Sequence, residues 1–376
     1  MTVLQDDRAA LSAGPEDALL ARARDRKPVL SARLVAWQKQ EGRHHLPWQQ
    51  GREPYRVWLS EIMLQQTQVS TVMGYFQRFL QRFPDVHALA AAPLDDVLAL
   101  WSGLGYYSRA RNLHRCAQVV VTEHGGVFPG RADVLSTLPG IGPSTAAAIA
   151  AFCFSERVSI MDGNVRRVLS RVLGWGQDLS VKAHERSLSA AAEVVLPVHG
   201  GDMPSYTQGL MDLGATLCTL RKPACLTCPW SDLCVAREEG RPEVYPVKSR
   251  KLKRSQRDHI WLWLTRGDAV WLEQMPDKGV WAGLWTLPLI PDDAAMTELV
   301  GPSWSAQLER LPRIKHVLTH LDWWLTPVRL HVPEQGPSVQ SLVERLHAVN
   351  LSGRWVPLAD LSNWGLPAPL RRLLQG

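Results

Sequence analysis

The sequence predicts two domains, an all-α domain followed by an α+β domain, on three observations. The chain has 376 residues, which is more than one hydrophobic core of ordinary size organises. From about Leu30 to Ala236, apolar residues recur at helical spacing in segments that Pro and Gly separate. Beyond about residue 257, short runs of β-branched and aromatic residues alternate with turn residues, which favours strands.

Composition places the domain boundaries. Residues 1–28 are rich in Ala, Asp and Arg and show no sustained periodicity, so we expect a mostly disordered tail. The helical domain is expected to cover 29–239. Residues 240–257 contain two prolines and the basic run Lys248–Arg254, which is typical of an interdomain linker. The α+β domain is expected to cover 258–376.

Helical periodicity and breaker residues locate the main helices of the first domain. They are expected over Tyr55–Phe79, Leu94–Trp101, Arg109–Glu123, Ser144–Phe154 and around Val165–Val172. Pro143 precedes the fourth helix at the position where a helix accepts proline best, and the alanines that follow allow another element to pack closely.

The second domain is predicted to contain strands and a few short helices. Strands are expected over His259–Leu264, Val270–Glu273, His316–Leu321 and Trp324–Val332, with a hairpin at Gly267-Asp268, and helices over Ser338–Val349 and Pro367–Leu374. Because this part of the chain holds most of the tryptophans, we expect a core packed with indole rings.

Composition and charge narrow the class of function. Apolar residues make up 45% of the chain, but no apolar run reaches the roughly 20 residues of a membrane span and no N-terminal stretch resembles a signal peptide. We therefore expect a soluble, cytoplasmic protein without a membrane anchor. The formal net charge of +6 suits a polyanionic partner, so binding must depend on where the arginines lie.

Four cysteines close together are the strongest chemical signal in the chain. Cys218, Cys225, Cys228 and Cys234 follow C-x6-C-x2-C-x5-C spacing. Zinc sites usually consist of two cysteine pairs with a longer segment between them, whereas this unequal spacing favours a 4Fe–4S cluster. A zinc site and a group of cysteines without metal are the alternatives.

The loop after Cys218 and the two cysteines outside the group can also be interpreted from the sequence. A metal centre would pin the first loop of the group, which would then present Arg221 and Lys222 to a phosphate backbone. Cys116 and Cys153 lie in apolar surroundings and are expected to be small buried hydrophobic residues.

A glycine turn before the alanine-rich helix is a second candidate site. Gly140 and Gly142 permit tight backbone geometry and expose N–H groups at a helix N-terminus, which binds phosphate readily. A Gly-x-Gly pattern alone is weak support for function. It gains weight here because Asp162 and the cysteine group follow it.

Two carboxyl groups are candidate catalytic residues. Glu61 follows Trp58 and Val57 by three and four residues, so it lies on an apolar helix face where its carboxyl is desolvated and stays protonated. Asp162 precedes a helix and is expected to stay ionised. One acid that donates a proton and one that stays ionised suit hydrolysis of an N-glycosidic bond. A buried structural glutamate and an N-cap aspartate are the competing interpretations.

Several short strings stand in one order along the chain. They are Leu46–Trp48, Trp58–Gln68, Gly103–Tyr107, Arg109–Asn112, Leu138–Gly142, Asp162–Val165, Met211–Gly214 and the four cysteines. Together they closely resemble the MutY-type adenine DNA glycosylases of the helix-hairpin-helix superfamily, which includes endonuclease III. The resemblance implies a helix-hairpin-helix catalytic domain with a 4Fe–4S cluster that acts on double-stranded DNA, and we expect a monomer.

The resemblance also implies a reaction in base excision repair, the removal of undamaged adenine mispaired with 8-oxoguanine or guanine to leave an abasic site. Glu61 would protonate N7 of the flipped adenine, and Asp162 would stabilise the cationic sugar, directly or through a transient covalent bond. Asn164 would position Asp162 or the water. Gln66 and Tyr106 match residues that insert into the duplex around the lesion.

Three further positions belong to the implied site. Arg109 and Arg111, in the string after the glycine-rich turn at Gly103, are expected to contact DNA. Ser144 stands where related lyases carry a lysine that forms a Schiff base, and a serine cannot form that imine. We therefore predict a monofunctional enzyme without lyase activity, in which Ser144 is a candidate for a polar contact near the acids.

The second domain resembles the C-terminal module of the same family, which is similar to Nudix pyrophosphatases, over Gly279–Pro288. The glutamate-rich metal box of active Nudix enzymes is missing after this stretch, so we predict no pyrophosphatase activity. Thr319 and His320 match the loop that reads 8-oxoguanine in the family, whereas Leu318 replaces its aromatic residue. A polar pair on a strand without a reading function is the alternative.

Two other functions fit parts of the sequence. An endonuclease III-like glycosylase and lyase for oxidised pyrimidines would share the fold, but Ser144 and the second domain oppose it. A non-catalytic DNA-binding iron–sulfur redox sensor would use the cluster alone, and it leaves Glu61 on an apolar helix face unexplained.

Overall fold

The computed structural model describes residues 14–249, 253–334, 337–348 and 353–375. Contacts divide the described chain into two compact units. The first unit combines the residues up to Gln65 with those from Thr122 to Ser249, and the second combines Gln66–Val121 with those from Lys253 onward. None of the described helices is both long enough and apolar enough to cross a bilayer.

The chain up to residue 249 is helical. Its helices are α1 Pro15–Glu41, α2 Pro54–Leu64, α3 Val69–Arg82, α4 Val86–Ala91, α5 Leu94–Trp101, α6 Ser108–His124, α7 Ala132–Leu135, α8 Pro143–Phe154, α9 Gly163–Leu173, α10 Lys182–Val194, α11 Met203–Thr216 and α12 Val235–Glu238. Local signals set several of these bounds. Proline occupies the first turn of α2 and α8, and Gly174 ends α9 in the left-handed conformation.

The core of the first unit is formed by α1, α8, α9, α10 and α11. The alanines of α8 are buried, which brings neighbouring helices close to its backbone. On α9, Val165, Val168 and Leu169 face the same core. Cys218, Cys228 and Cys234 pack against its edge. One core therefore supports both the N-terminus of α9 and the cysteine loops.

The second unit combines helices α3, α4 and α5 and most of α6 with a sheet. The strands are β1 Ser255–Arg266, β2 Ala269–Gln274, β3 Trp285–Thr286, β4 Leu289–Ile290, β5 Glu309–Arg310, β6 Ile314–Val317, β7 Leu321–His331 and β8 Gly353–Pro357. The described helices after residue 253 are α13 Asp293–Val300, α14 Pro302–Ser305, α15 Pro337–Ala348 and α16 Ala368–Gln375. The strand order is β3-β2-β1-β7-β5, with β4 beside β1, β6 beside β7 and β8 beside β2. β1 and β7 run parallel, and the other pairs are antiparallel.

The expected core of indole rings in the second unit is confirmed. Trp281 stacks between Trp261 and Trp323, with ring centroids 5.6 and 4.3 Å apart. The hairpin at Gly267-Asp268 is also confirmed, since Arg266 pairs with Ala269. The segment from Gln66 to Val121 makes most of its contacts within the unit that contains the sheet. The sequence prediction had placed the same segment in the helical domain. The boundaries at 29–239 and 258–376 therefore stay a prediction.

The predicted disordered tail is wrong for residues 15–28, which form the first half of α1. Leu19 and Ala23 are buried and continue the face of Leu30 in the core of the first unit. Charged residues lie between these apolar positions and obscure their helical spacing, so the sequence pattern did not reveal the helix. Residues 1–13 of the predicted tail lie outside the described residues.

The predicted helix over Tyr55–Phe79 is two helices, α2 and α3, with a break between Leu64 and Val69. Gln66 has a φ of +57°, which an α-helix cannot contain. Because the apolar spacing continues across the break, periodicity alone joined the two helices. The four other helices predicted in this part of the chain agree with the structure to within two residues.

The predicted strand His316–Leu321 is also wrong. β6 ends at Val317 and β7 begins at Leu321, so the residues between them form the turn of a hairpin. Leu318 N donates to Leu321 O at 2.8 Å and closes this turn. An antiparallel pair with a short connection reads in sequence as one long apolar run, which explains the error.

The predicted linker and one predicted helix need smaller corrections. β1 begins at Ser255, inside the predicted linker 240–257, because its first residues pair with β7. Residues 250–252 of the basic run lie outside the described residues, as does Val349 at the end of the predicted helix Ser338–Val349.

Candidate active site and cysteine pocket

Glu61 lies in the middle of α2, which packs against α8 in the first unit. Trp58 and Ile62, which flank it on α2, are buried. Burial of the Glu61 carboxyl, reinforced by the negative charge of Asp162, raises its pKa to about 8. The carboxyl is therefore protonated at neutral pH, as expected from the apolar face.

Asp162 is the N-cap of α9, and its charge acts on Glu61. Its Oδ1 accepts a hydrogen bond from Val165 N at 2.7 Å. The free N–H groups at the start of a helix suit a negative charge at this place. The cap and the candidate catalytic group are thus one residue, so the two interpretations of Asp162 do not exclude one another.

A buried arginine connects Asn164 with the cysteine group. Arg167 Nη2 donates to Asn164 Oδ1 at 2.9 Å and to Gly214 O at 2.8 Å. Its Nε donates to Cys218 O at 2.8 Å. Gly214 also touches Asn164 directly, because a Cβ at position 214 would stand 2.8 Å from Asn164 Cβ. Asn164 is therefore fixed from two sides. The sequence analysis missed Arg167, since a guanidinium that binds backbone carbonyls leaves no spacing signal.

Asp212 is a second residue that the sequence analysis missed. It is fully buried in α11 and accepts hydrogen bonds from Arg43 Nε at 2.7 Å, Arg43 N at 3.0 Å and Gln208 Nε2 at 2.8 Å. These donors compensate for the burial of a charge. Asp212 ties the segment after α1 to α11, and a carboxylate inside the apolar string Met211–Gly214 was the signal that could have found it.

The turn before α8 has the predicted form of a helix N-terminus with glycine at two positions. Gly140 has a φ of +76°, and Gly142 is the N-cap with no side chain to occupy the first N–H groups. Ser144 lies half-buried in the first turn of α8. Beside it, Thr145 Oγ1 accepts from Gln65 Nε2 at 3.4 Å, which joins α8 to the residue after α2.

The four cysteines line one pocket beside the core of the first unit, and none forms a disulfide. Among the described residues, no group of three or more His, Cys, Asp or Glu side chains is arranged to hold a metal ion. Four thiols around one pocket are the ligand type of a 4Fe–4S cluster, and thiolates also bind zinc.

Arg171 organises the loops around this pocket and was also missed. It is 1% exposed and donates to Cys218 Sγ at 3.3 Å. It further donates to the carbonyl oxygens of Thr219, Leu220 and Pro242 at 2.7 to 3.1 Å. A guanidinium beside a sulfur atom supplies positive charge and a hydrogen bond, which suits a set of thiolate ligands.

In the second unit, Tyr106 and Thr319 are joined by a hydrogen bond of 2.5 Å between their hydroxyl groups. Tyr106 has a φ of +49° and is 43% exposed, and Thr319 lies with the exposed His320 in the turn between β6 and β7. Gln66 is exposed too and has positive φ. The sequence singled out each of these residues, but it gave no sign that Tyr106 and Thr319 touch.

The structure gives Arg109 and Arg111 partners within the second unit. Arg109 is 8% exposed and donates to Gly105 O at 3.2 Å, and its guanidinium lies 5.6 Å from the ring of Tyr106. Arg111 donates to Ala282 O. The Arg109 bond supports the loop that carries Tyr106, whereas the Arg111 bond holds the segment around Ala282, so both arginines have a structural role here. Their predicted contact with DNA stays a prediction that this geometry does not favour.

Arg221 and Lys222 are exposed on the loop between the first two cysteines. Lys222 has a φ of +48°, and its backbone N donates to Glu243 Oε1 at 2.7 Å. The loop backbone is therefore fixed by a neighbouring segment, while both cationic side chains lie at the surface. This placement is compatible with the predicted contact with phosphate.

The acidic residues after β4 serve the local fold. Asp292 is the N-cap of α13 and accepts from Ala295 N at 2.8 Å, and Asp293 pairs with Arg310. The absence of pyrophosphatase activity stays a prediction.

Comparison with known proteins places both parts of the chain. Residues 59–194 match the model of the HhH-GPD superfamily base excision DNA repair protein, and residues 259–376 match the NUDIX domain. The chain is 33% identical over 351 residues to the adenine DNA glycosylase of Buchnera aphidicola subsp. Acyrthosiphon pisum, covering 93% of this chain and 97% of that protein. It is 34% identical over 388 residues to the adenine DNA glycosylase of Homo sapiens, covering 83% and 70%. A solved thermostable thymine-DNA glycosylase aligns with a TM-score of 0.52 and 28% identity over 57% of this chain and 98% of that one.

These matches define a base excision DNA repair protein of the HhH-GPD type, followed by a Nudix-like α+β domain. Identity above 30% extends over nearly the whole length of a relative. The chain therefore belongs to the adenine DNA glycosylase family. The family resemblance and the two types of fold expected from the sequence are confirmed.

Proposed function

We propose that this chain hydrolyses the N-glycosidic bond of adenine opposite 8-oxoguanine or guanine in double-stranded DNA and leaves an abasic site. The observation that carries the proposal is Glu61, a carboxyl whose pKa of about 8 keeps it protonated beside the charge of Asp162. The relatives named adenine DNA glycosylase support the choice of base.

The two carboxyl groups divide the chemistry of bond cleavage. Adenine leaves poorly as an anion, so a proton must reach a ring nitrogen as the bond to the sugar breaks, and Glu61 holds that proton. Positive charge then develops on the deoxyribose, and Asp162 supplies the nearby negative charge. Asn164, held by Arg167, orients Asp162 or the attacking water. A transient bond from Asp162 to the sugar is compatible with the same geometry.

Two substitutions test the division of roles. Glu61→Gln removes the proton donor, and we expect single-turnover release of adenine to fall by about 10²- to 10⁴-fold while DNA binding persists. Asp162→Asn removes the charge but keeps a residue that caps helices well, so loss of activity with an unchanged unfolding temperature separates catalysis from capping. Glu41→Gln, at an exposed residue at the end of α1, is the control. Normal cleavage by either variant would exclude that residue from the mechanism.

Ser144 supports a monofunctional reaction. It occupies the first turn of α8, beside the turn at Gly142, and a hydroxyl cannot form the imine through which lyases cut the strand. The test is incubation with a duplex that contains adenine opposite 8-oxoguanine. Free adenine with strand breaks only after alkali is expected. Breaks without alkali would indicate a lyase, and no release of adenine would refute the proposed substrate.

Recognition of the base opposite adenine is assigned to the turn between β6 and β7. Thr319 and His320 are exposed there, and Thr319 is bonded to Tyr106. We expect Thr319→Ala combined with His320→Ala to narrow the preference for 8-oxoguanine over guanine opposite adenine. An unchanged ratio of the two rate constants would place lesion reading elsewhere.

The pocket lined by Cys218, Cys225, Cys228 and Cys234 is proposed to hold a 4Fe–4S cluster. When bound, the cluster braces the loop that presents Arg221 and Lys222, and no step of the hydrolysis runs through it. Iron and inorganic sulfide at four atoms each per chain are expected, with a yellow-brown colour. Stoichiometric zinc without iron would reject this assignment. We also propose that the chain is a monomer in the cytoplasm, associated with DNA.

A further inference from the structure

The turn that carries Thr319 is held by the beginning of β1 as well as by its own hairpin. Ser255 donates to His320 O through its backbone N at 2.9 Å and through Oγ at 3.2 Å. Immediately before it, Arg254 Nη1 donates to Thr319 O at 3.2 Å. The residues that enter the sheet therefore bind the backbone of the turn directly.

Arg254 is itself oriented by Asp322, the second residue of β7. Its Nη2 pairs with Asp322 Oδ1, and Lys315 Nζ lies 3.1 Å from the other carboxylate oxygen. Arg254, with help from Lys315, holds the pKa of Asp322 below its usual value, so the carboxylate stays charged throughout the neutral range. A planar guanidinium makes bonds to a carboxylate and a carbonyl at the same time, which a lysine ammonium does less well.

We propose that Arg254 is a positioning residue for recognition of the base opposite adenine. By holding the carbonyl of Thr319 against Asp322, it sets the direction in which the Thr319 hydroxyl points. This inference rests on the reading function proposed above for Thr319 and His320.

The arrangement around Thr319 supports such a role. Tyr106 holds its side chain and Arg254 holds its backbone, so two segments of the second unit fix one residue in different ways. Guanine and 8-oxoguanine differ by one oxygen atom at C8 and by a hydrogen atom on N7 instead of C8. A group that distinguishes them must be held in place, because a freely moving hydroxyl adapts to both. The sequence gave no separate sign of Arg254, which reads only as part of a basic run.

A contact between Arg254 and a DNA phosphate is the competing role for an exposed arginine. The two roles predict opposite effects for Asp322. If Asp322 orients Arg254 for the turn, Asp322→Asn weakens discrimination as Arg254→Met does. If Arg254 binds phosphate, removal of the neighbouring negative charge strengthens binding to any duplex.

The experiment compares Arg254→Met, Asp322→Asn and the double variant with the unchanged chain. Arg257→Met is the matched control, because Arg257 is exposed on β1 and donates no hydrogen bond to the turn among the described residues. Single-turnover rate constants and apparent Kd are measured for duplexes with adenine opposite 8-oxoguanine or guanine, at several salt concentrations. Thermal unfolding shows whether each variant is folded.

We expect both single variants to lower the ratio of rate constants for the two duplexes by about three- to fivefold, the size of effect of an exposed ion pair. The double variant should match the single ones, since both remove the same bridge. The salt dependence of Kd and the Arg257→Met values should stay unchanged. Two results would overturn the proposal. One is that Arg254→Met weakens binding to both duplexes equally and reduces the salt dependence of Kd. The other is that Asp322→Asn binds DNA more tightly.

The outcome is separable from failure of the proposed function. If the unchanged chain prefers 8-oxoguanine and Thr319→Ala with His320→Ala removes that preference, but Arg254→Met and Asp322→Asn do not, Arg254 has no positioning role and the reading function stands. If Thr319→Ala with His320→Ala leaves the preference for 8-oxoguanine intact, the turn between β6 and β7 does not recognise the base. In that case Arg254 has no positioning role either. Arg254→Lys should recover part of the ratio through the pair with Asp322.

Discussion

At the scale of single residues, the surroundings of Glu61 keep its carboxyl protonated at neutral pH. Burial is the main cause of the raised pKa of Glu61, and the charge of Asp162 adds to it. The anion that is proposed to balance the cationic sugar therefore also keeps the proton on the acid. Removing the charge of Asp162 is therefore expected to affect both the protonation of adenine and the stabilisation of the cationic sugar.

The pH dependence of the reaction follows from the raised pKa. Glu61 is protonated below a pKa of about 8 and loses its proton above it, so the active form disappears as pH rises. We expect the single-turnover rate of adenine release to be nearly constant below about pH 8 and to fall about tenfold per pH unit above it. A rate that stays constant up to about pH 10 would argue against Glu61 as the proton donor.

Residues with a local signature were predictable, and those with distant partners were not. Glu61 revealed itself by its apolar neighbours one turn away, and Asp162 by its place before a helix. Arg167 and Arg171 contact carbonyl groups that lie 47 to 74 residues further along the chain. No spacing rule reports such a contact, because any residue offers the same carbonyl.

At the scale of elements, α1 braces the helix that carries Asp162. Arg22 donates to Leu173 O at the C-terminus of α9, where a cation also suits the helix dipole. Arg26 donates to Leu233 O, next to the last cysteine of the group. Part of the segment expected to be a disordered tail thus links the end of α9 to the cysteine loops.

We expect Arg22→Met combined with Arg26→Met to destabilise the first unit by about 1–3 kcal/mol, because two partly buried carbonyl groups lose their donors. The measurement is urea unfolding, and loss of visible absorbance in the presence of a chelator should also be faster. Arg24→Met is the control, since Arg24 is exposed on the same helix. Equal stability of the double variant and the control would show that α1 packs without these bonds.

β2 carries a buried acid that links the stability of the second unit to pH. Glu273 is 6% exposed, its Oε2 has no hydrogen-bond partner among the described residues, and burial raises its pKa from 4.5 to about 7. The folded form therefore holds its proton in a range where the unfolded form has lost it. The cost of burial is absent below about pH 4.5, grows between these values and is complete above about pH 7, at roughly 3 kcal/mol.

Glu273→Gln should stabilise the second unit at pH 8 and change its stability little at pH 5, because an amide carries no charge to desolvate. Urea unfolding at the two pH values measures the difference. Glu298→Gln, at an exposed residue of α13, is the control and should have the same small effect at both. A stabilisation that does not depend on pH would mean that the carboxyl is not the cause.

Helices with a strong periodicity of apolar residues were predicted well, whereas the short connections between elements were not. α5 has the predicted bounds, α8 begins one residue earlier than predicted, and α6 is one residue longer at each end. The breaks at Gln66 and at Leu318 escaped because apolar residues continue on both sides of each break, and each break depends on backbone conformation at one or two residues. Both breaks present candidate DNA-contacting residues, so periodicity failed where function is proposed.

At the scale of the whole molecule, the net charge of +6 is small for a protein that binds a polyanion, so particular cations must supply the affinity. Arg109 and Arg111 are bonded within the second unit. Arg221 and Lys222 are exposed on a loop whose backbone is fixed. They are the better candidates for contact with phosphate.

Arg221→Ala combined with Lys222→Ala should weaken binding to every duplex alike. Two lost phosphate contacts lower the slope of log K against log salt by about 1.8, while the preference for 8-oxoguanine stays the same. Lys182→Ala combined with Arg186→Ala removes equal charge from exposed positions of α10 and is the control. If both pairs reduce the slope equally, general charge rather than this loop determines binding.

The close approach of α11 to Asn164 has a genetic consequence. Any Cβ at position 214 would stand 2.8 Å from Asn164 Cβ, a separation that folded proteins do not tolerate without movement of the main chain. Every amino acid reachable from a glycine codon by one nucleotide change carries such a carbon. Missense alleles at this codon are therefore expected to behave as mutators, whichever residue they encode.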